Sequence, residues 1–128
     1  MSDPSVTPTR DTARPPTDCV FCRIVAGDIP ADIVAEGAEW VAFRDLEPQA
    51  PTHVLVIPRR HVENIDVLGP DDAGLGDALL AACRTVSEVC RLEHGYRVLT
   101  NVGAEAGQEV LHLHLHVLGG RRMGWPPG

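Results

Sequence analysis

The sequence has no long hydrophobic run, and this absence excludes a membrane-spanning helix. No stretch approaches the roughly eighteen consecutive apolar residues that such a helix requires. No apolar segment near the N-terminus is typical of a signal peptide. We therefore expect a cytoplasmic protein with no membrane partner, in which the four cysteines stay reduced.

Positive charge is also scarce. The 11 Lys and Arg residues stand against 18 Asp and Glu residues, which gives a net charge of −7. Proteins that bind nucleic acids or membrane surfaces through charge usually carry a basic excess. The composition therefore predicts no nucleic-acid partner.

The chain is long enough for one domain and too short for two. Its 128 residues are 44% hydrophobic, which is sufficient to bury a core without disulfides. Residues 1–17 contain Pro4, Pro8, Pro15 and Pro16 among polar residues, and we expect a disordered tail there. Residues 18–128 are expected to form the domain.

Half of the six histidines lie in one short row near the C-terminus, Val110–Leu118. Imidazole and aliphatic side chains alternate strictly in this row, and a period of two is typical of a half-buried strand. His112, His114 and His116 would then share one face, with neighbours about 6.7 Å apart along the chain. The other face would turn into the core, and it carries Leu111, Leu113, Leu115 and Val117.

Such a histidine row can serve two kinds of chemistry. Neutral imidazoles can hold a metal ion. Alternatively, one imidazole can act as a nucleophile or as an acid or base, while the others orient it and bind an anion. The residues alone leave both possibilities open, and a metal-dependent catalytic site on the row would lose activity in chelator.

The rest of the chain predicts an α+β domain with a five-stranded antiparallel sheet. A short N-terminal helix should follow Asp18 as its cap and end at Gly27. One long helix is expected over about 71–93, ending at His94-Gly95, because apolar residues recur there at three- and four-residue steps. The expected strands cover residues 33–36, 40–43, 53–57, 96–101 and the histidine row. The continuous apolar segment at 53–57 predicts a central strand.

Several motifs resemble those of the histidine triad (HIT) family, and in particular its purine nucleoside phosphoramidase branch. The main one is His112-Leu113-His114-Leu115-His116-Val117-Leu118, in which histidine and a hydrophobic residue alternate. Further matches are Asp28-Ile29-Pro30-Ala31, Ala50-Pro51-Thr52-His53, Val56-Ile57-Pro58 through His61, and Gly119-Gly120-Arg121 through Trp125-Pro126-Pro127-Gly128. The resemblance covers about residues 18–128.

The resemblance implies a HIT-like homodimer with a continuous ten-stranded sheet. It also implies hydrolysis of a purine nucleoside 5′-monophosphate joined to an amine, such as an AMP-amine compound, through a covalent nucleotidyl-histidine intermediate. Hydrolysis of dinucleoside polyphosphates, the role of a sister branch, is the second enzymatic possibility. A nucleotide-binding regulatory protein with weak activity is the alternative from another class.

Carried over by position, the resemblance gives His114 as the nucleophile, because it is the middle histidine of the row. His112 and His116 flank it, His53 lies near His112, and His61 supports the group from a loop. The implied substrate contacts are Phe21, Ile24, Ile29 and Phe43 around the purine, Asp45 beside Leu46 at the ribose, and Asn101 with Gly107-Gln108-Glu109 at the phosphate. The tail at Trp125 is expected to reach the partner subunit's site.

Cys19-x-x-Cys22 can be a redox pair, half of a zinc site, or a chance occurrence. Some relatives in the family hold a structural zinc ion with such a pair and two histidines. The resemblance implies that His53 and His112 complete a closed tetrahedral site here. No metal is expected to be needed for catalysis.

Glu109 departs from the family, whose phosphoramidase branch usually has serine at this position. An ionised glutamate only accepts hydrogen bonds and would repel a substrate phosphate. A protonated glutamate would instead donate, which suits an amine leaving group. The alternative is that Glu109 points to solvent. If the histidine strand already included residue 109, its parity would put Glu109 on the leucine face.

Overall fold

The structure is a computed structural model and describes residues 18–128, so the predicted tail at 1–17 lies outside the described residues. Five antiparallel strands form one sheet in the order β1-β2-β3-β5-β4. They are β1 (Ile33–Glu36), β2 (Trp40–Arg44), β3 (Thr52–Pro58), β4 (Tyr96–Leu99) and β5 (Leu115–Gly119), and the helices are α1 (Val20–Ala26) and α2 (Leu75–Val89). The predicted fold class is confirmed. Neither helix within residues 18–128 has the length and apolar character needed to span a membrane.

Strand β3 is the central strand, as its apolar sequence predicts. It pairs with β2 on one side and with β5 on the other, and every residue from His53 to Pro58 is buried. A strand covered on both faces needs apolar side chains in both directions, which explains the continuous run Val54-Leu55-Val56-Ile57. His53 is the exception in this strand, and its side chain belongs to the site described below.

Helix α1 begins one residue later than the sequence suggests. Its N-cap is Cys19, whose thiol sulfur accepts a hydrogen bond from the backbone N–H of Cys22, so the predicted cap at Asp18 is wrong. Gly27 ends the helix with a φ of +82°, as predicted, because glycine adopts the left-handed region without a Cβ clash. The capping contact also brings the two thiols together.

Helix α2 is shorter at both ends than the predicted range of 71–93. Pro70–Asp72 forms a separate 3-10 turn, and Gly74, with a φ of +86°, interrupts the chain before Leu75. At the other end Cys90 caps the helix, and Arg91 takes a positive φ of 57°. The predicted end at His94-Gly95 is therefore wrong, because the reversal to left-handed backbone comes at Arg91.

The sheet has a different layer on each face. One face packs against α2 through alternating side chains that include Val54, Val56 and Val117. The other face packs against α1, and its buried residues include Phe43, Leu55 and Ile57. The candidate site lies on the α1 face.

The histidine row keeps its predicted alternation, although β5 begins only at Leu115. Leu113 lies in the α2-side core, whereas the rings of His112 and His114 pack against Phe21 on the α1 side. Leu111 is 55% exposed, so its predicted place in the core is wrong. The alternation begins at His112 because the chain bends at residues 110–112 before it joins the sheet.

Candidate active site

A cavity of about 430 Å³ on the α1 face collects most of the predicted site residues. His114, His116 and His53 lie on its wall. The other predicted residues on the wall are Phe21, Ile24, Phe43, Asp45, Leu46, Asn101, Gly107 and Glu109. A larger cavity of about 630 Å³ is lined by Arg91, Arg97 and neighbouring residues, and none of the three row histidines lines it.

Three predicted substrate contacts do not line this cavity. Ile29 is half-buried outside it. Gln108 is buried, and its side-chain amide holds the loop by donating to the carbonyl oxygens of Glu63 and Val110. Its side-chain polar atoms are thus used within the protein, and its contact with the phosphate stays a prediction. Trp125 is 83% exposed, with the Arg97 guanidinium 6.0 Å from its ring centroid.

One ring nitrogen of His114 has no hydrogen-bond partner within residues 18–128. Its Nδ1 atom lies 2.8 Å from the carbonyl oxygen of His112. A carbonyl only accepts, so Nδ1 must carry the proton and donate it. In a neutral imidazole the other nitrogen, Nε2, then keeps its lone pair. His114 is thus in the tautomer that a nucleophile at Nε2 requires.

His53 and His116 form a directed chain of hydrogen bonds. The backbone N–H of Gln49 donates to Nδ1 of His53 at 3.0 Å, so the proton of His53 lies on Nε2. That N–H donates to Nδ1 of His116 at 2.9 Å. The proton of His116 therefore lies on Nε2, a buried atom with no hydrogen-bond partner among residues 18–128. The chain ends in a donor that is available to a ligand.

His53 and His116, the two histidines joined by these hydrogen bonds, are neutral near pH 7. Burial, together with the neighbouring His114 and His53, lowers the pKa of His116 to about 4 against an opposing effect of the Asp45 carboxylate. Burial also lowers the pKa of His53, against an opposing effect of the Asp45 carboxylate. These lowered pKa values agree with the tautomers assigned above. A charged imidazole would carry a proton on both ring nitrogens, and its Nδ1 atom could not accept a hydrogen bond.

His112 belongs to a second group of side chains. Its Nδ1 atom is 3.3 Å from the Cys19 sulfur and 3.5 Å from the Cys22 sulfur. The fourth member is His61, whose Nδ1 atom is 3.4 Å from the Cys22 sulfur. These four donor atoms all lie within 4.8 Å of one another, and we call Cys19, Cys22, His61 and His112 the metal cluster.

The prediction that His53 completes this cluster is wrong. His53 pairs with Leu118 in the sheet register and contacts His116, so it lies at the opposite end of the row from His112. His61 takes its place because the chain turns after β3 and brings residue 61 back beside α1. The signal in the sequence is the short spacing from Pro58, which ends β3, to His61.

The metal cluster fits a tetrahedral zinc ion. Zinc bonds of about 2.3 Å to sulfur and 2.0 to 2.1 Å to nitrogen imply sulfur–nitrogen edges of about 3.6 Å. The observed edges of 3.3 to 3.5 Å are close to that value. His112 also donates from Nε2 to the carbonyl oxygen of Pro58 at 3.0 Å, which leaves the Nδ1 lone pair directed at the cluster. Ligand histidines in metal sites are commonly oriented in this way.

The ionisation of the cluster also bears on metal binding. Burial, a hydrogen bond with Cys19 and the charge of Cys19 raise the pKa of the Cys22 thiol to about 12. Burial lowers the pKa of His112 to about 4 and also lowers the pKa of His61. The two imidazoles are therefore neutral ligands near pH 7, and a bound cation would convert the thiols to thiolates.

Asp45, His53 and His116 also bring potential ligand atoms within 4.8 Å of one another. The hydrogen bond from Gln49 argues against a metal ion there. Because Nδ1 of His53 accepts this bond, Nε2 carries the proton, and a protonated nitrogen cannot coordinate a metal. Asp45 is held on the cavity wall instead, where its Oδ1 atom accepts the backbone N–H of Glu47 at 2.8 Å.

Glu109 lies outside β5, so the parity argument from the sequence does not apply to it. It is exposed and lines the cavity that contains His114 and His116. It also lines a neighbouring cavity of about 400 Å³ beside Cys19 and His61. The structure thus places Glu109 on the wall where the two cavities meet.

Comparison with known proteins gives the family. A sequence model described as HIT domain matches residues 26–123. An uncharacterised HIT-like protein of Synechococcus elongatus is 43% identical over 111 residues, which are 87% of this chain and 97% of that protein. A HIT family hydrolase of Legionella pneumophila has a solved structure that is 47% identical, with a TM-score of 0.83 over 87% of this chain and 100% of its own.

Two more solved structures are similar over most of the chain. A HIT family hydrolase of Clostridium thermocellum is 40% identical, with a TM-score of 0.83 over 85% of this chain and 96% of its own. A histidine triad nucleotide-binding protein of Candida albicans is 35% identical, with a TM-score of 0.72 over 85% of this chain and 83% of its own. With the alternating histidines and the cavity beside them, these matches show that the chain belongs to the HIT domain family.

Proposed function

We propose that the protein hydrolyses purine nucleoside 5′-monophosphoramidates of the AMP-amine type through a covalent nucleotidyl-histidine intermediate. The observation that carries this proposal is the tautomer of His114. Its Nδ1–H is bound to the His112 carbonyl, and its Nε2 lone pair is free beside the 430 Å³ cavity. A neutral imidazole nitrogen attacks phosphorus readily near neutral pH.

The reaction has two displacements at phosphorus. In the first, Nε2 of His114 forms a bond to phosphorus, the bond from phosphorus to the amine nitrogen breaks, and that nitrogen takes up a proton from solvent. In the second, water attacks phosphorus, the bond to Nε2 breaks, and the proton of the water passes to solvent. The products are a nucleoside 5′-monophosphate and an amine.

His116 is suited to bind the phosphoryl oxygens. Its Nε2–H is the end of the hydrogen-bond chain from Gln49 through His53 and is free of protein partners within residues 18–128. A donor fixed in advance stabilises the charge that spreads over those oxygens during transfer. His116 keeps its proton throughout, because a neutral imidazole that lost it would become an anion.

The walls of the cavity suit a nucleoside. Phe21 and Phe43 meet edge to face with centroids 5.5 Å apart, and together with Ile24 they give an apolar surface for a purine. The carboxylate of Asp45 accepts hydrogen bonds, and the two hydroxyls of a ribose can donate them. Leu46 is 96% exposed at the rim of the cavity, where it can cover part of a bound nucleoside.

We also propose that the metal cluster holds one zinc ion with a structural role. Bound there, zinc links the two thiolates at the start of α1 to His61 in the loop after β3 and to His112 in the segment that precedes β5. His53, in this arrangement, serves the active site alone.

A homodimer completes the proposal. Strand β4 is an edge strand with exposed Tyr96 and Val98, and α2 exposes Leu80 and Val89. Unpaired sheet edges are templates for pairing, and a two-fold axis at β4 would continue the sheet into a second copy. The exposed Trp125 tail would then reach the partner subunit's site. A monomer in light scattering at micromolar concentration would contradict the dimer.

Intact-protein mass spectrometry after brief exposure to an adenosine phosphoramidate tests the covalent route. We expect a mass increase of one adenosine monophosphate group in the wild type and none in His114→Ala. Turnover of the phosphoramidate with no adduct at any quench time, even in slow substrates, would contradict the intermediate. Absence of any turnover would contradict the proposed function itself.

A further inference from the structure

One peptide unit connects the metal cluster to the active site. The carbonyl oxygen of His112 accepts the Nδ1–H of His114 at 2.8 Å, and the N–H on the other side of the same peptide, that of Leu113, donates to the carbonyl oxygen of Val62 at 2.6 Å. The imidazole of His112 is in the metal cluster, and Val62 directly follows His61, which is also in it. His112 itself and the residue that follows His61 therefore hold this peptide from opposite sides.

The ring of His112 has no freedom to turn once a metal is bound. It is fully buried, its Nε2–H is bound to the carbonyl oxygen of Pro58, and its Nδ1 atom faces the sulfurs of Cys19 and Cys22. A side chain fixed at both nitrogens also fixes its own main chain. The carbonyl oxygen that accepts the His114 proton thus belongs to His112, the residue whose ring would bind the metal.

A second contact runs through Phe21, which lies between the two cysteines on α1. Its ring meets the His112 ring edge to face with centroids 5.8 Å apart and the His114 ring at 5.1 Å. The cluster sulfurs set the position of the first turn of α1, because Cys19 is also its N-cap. Metal binding would therefore also hold the ring against which the nucleophile packs.

The tautomer of His114 depends on this arrangement. A neutral imidazole has one proton, and the hydrogen bond to the His112 carbonyl keeps it on Nδ1. If that carbonyl moves away, the proton can also reside on Nε2, and this nitrogen then has no lone pair with which to attack phosphorus.

We propose that the metal cluster positions the nucleophile, with His112 and His61 as positioning residues that hold the peptide whose carbonyl fixes the His114 tautomer. A metal ion at the cluster would thus control how much of the enzyme is competent, in addition to stabilising the fold. The inference rests on the proposed function for the role of His114, while the coupling itself is a property of the folded chain.

The test uses full-length protein labelled with 15N-histidine, as purified, after removal of its metal with a chelator, and after addition of one equivalent of Zn²⁺ to the metal-free protein under reducing conditions. Cys19→Ser removes one sulfur ligand but keeps a hydroxyl that can cap α1. His61→Gln removes one imidazole ligand that does not line the 430 Å³ cavity. Cys90→Ser, a cysteine on the far side of the sheet beyond the end of α2, is the matched control. The 15N shifts of each imidazole report which of its nitrogens carries the proton.

With zinc bound, we expect His114 to be protonated at Nδ1 only, in the wild type and in Cys90→Ser. In Cys19→Ser and His61→Gln the His114 tautomers should mix. The kcat for an adenosine phosphoramidate should fall about tenfold, at the lower end of the effect of groups that orient metal ligands. The Kd for AMP should change less than about threefold.

Identical His114 shifts in the wild type and both cluster variants, with all proteins folded, would overturn the proposal and leave the metal a purely structural role. Failure of Zn²⁺ to shift the His61 and His112 signals of the metal-free protein would also overturn it. The tautomer measurement needs no substrate, so it decides the coupling even if the phosphoramidase activity is absent. If the wild type shows the expected tautomer but does not hydrolyse the phosphoramidate, only the proposed function would be contradicted.

Discussion

The Nδ1 atom of His114 and the carbonyl oxygen of His112 are 2.8 Å apart, so two alternate histidines of one row are joined by a main-chain acceptor and a side-chain donor. The same spacing of two residues that puts both rings on one face of the sheet also brings the ring of the second to the carbonyl of the first. The side chain of His112 is thereby left for the metal cluster, and Nε2 of His114 is left for chemistry.

His114→Ala should lose turnover and keep nucleotide binding, because the cavity walls come from other residues. We expect kcat to fall roughly 10⁴-fold or more, as for removal of other enzyme nucleophiles. His116→Ala should retain a measurable covalent intermediate but form it more slowly. Steady-state kinetics with AMP binding by calorimetry measures both quantities, and the exposed His94→Ala serves as control. Substantial turnover in His114→Ala together with none in His116→Ala would show that the roles are assigned wrongly.

Metal content should distinguish His61 from His53. Protein purified without added zinc is expected to contain about one zinc per chain, as a single tetrahedral site requires. His61→Ala should lose most of that zinc, whereas His53→Ala should keep it, because His53 contacts His116 and Asp45 instead of the cysteines. Elemental analysis of the two variants side by side is the measurement. Zinc retained in His61→Ala and lost in His53→Ala would restore the ligand set expected from the sequence.

Asp45→Asn should weaken recognition of the ribose. An amide has one oxygen acceptor where the carboxylate has two, and it carries no charge, so we expect KM to rise about tenfold, the loss of one charge-assisted hydrogen bond. A substrate with 2′,3′-dideoxyribose should show little change. Asp77→Asn, an exposed carboxylate on α2, is the control. Equal effects of Asp45→Asn on the two substrates would mean that Asp45 does not contact the sugar hydroxyls.

Glu109→Ser should speed turnover near about pH 8. An ionised Glu109 on the cavity wall repels the substrate phosphate, whereas a serine hydroxyl can donate a hydrogen bond to it. Steady-state rates of the two proteins with an adenosine phosphoramidate are the test. Equal rates would show that Glu109 does not act on the substrate phosphate.

The stability of the protein should fall in mild acid partly because of His116. Burial lowers the pKa of His116 to about 4, whereas the unfolded chain has the ordinary value of about 6.5. Between these values the unfolded state binds more protons, so the free energy of unfolding falls as the pH drops from about 6.5 to about 4, and this contribution changes no further below that. We expect roughly 2 kcal/mol from this residue, after allowance for its partial exposure.

His116→Gln, whose side-chain oxygen can still accept from His53, should show a shallower loss of stability over the same range. Urea unfolding at several pH values is the measurement, and His94→Gln, an exposed histidine, should behave as the wild type does. The same pH dependence in His116→Gln and the wild type would show that His116 is not the source.

The sequence predicts those features that follow from local pattern. The period of two in the histidine row places His112, His114 and His116 opposite Leu113 and Leu115, and the structure agrees. The continuous apolar segment of β3 likewise predicts a strand covered on both faces. The family resemblance then predicts most of the cavity wall.

The errors concern contacts between distant segments. His53 lies in β3 and His61 follows it, and only the path of the chain after Pro58 decides which of them meets Cys22. Gln108 has a polar side chain suited to a ligand contact, but its amide donates to the carbonyl oxygens of Glu63 and Val110. The sequence does not show that Glu63 lies beside it. The sequence predicts the end of α2 too late because it marks Gly95 as the residue with positive φ. Arg91 adopts the positive φ instead, although it is not a glycine.

The strand order has a consequence for the synthesis of the chain. Among the strands within residues 18–128, β5 is made last, yet it lies between β3 and β4, and β4 pairs with no other strand there. A nascent chain that has reached residue 114 thus has no partner for β4 among these strands and leaves one side of β3 open. In chains truncated before Leu115, that side of β3 and the unpaired β4 would be sites of aggregation. Completion of the sheet and completion of the histidine row therefore occur together.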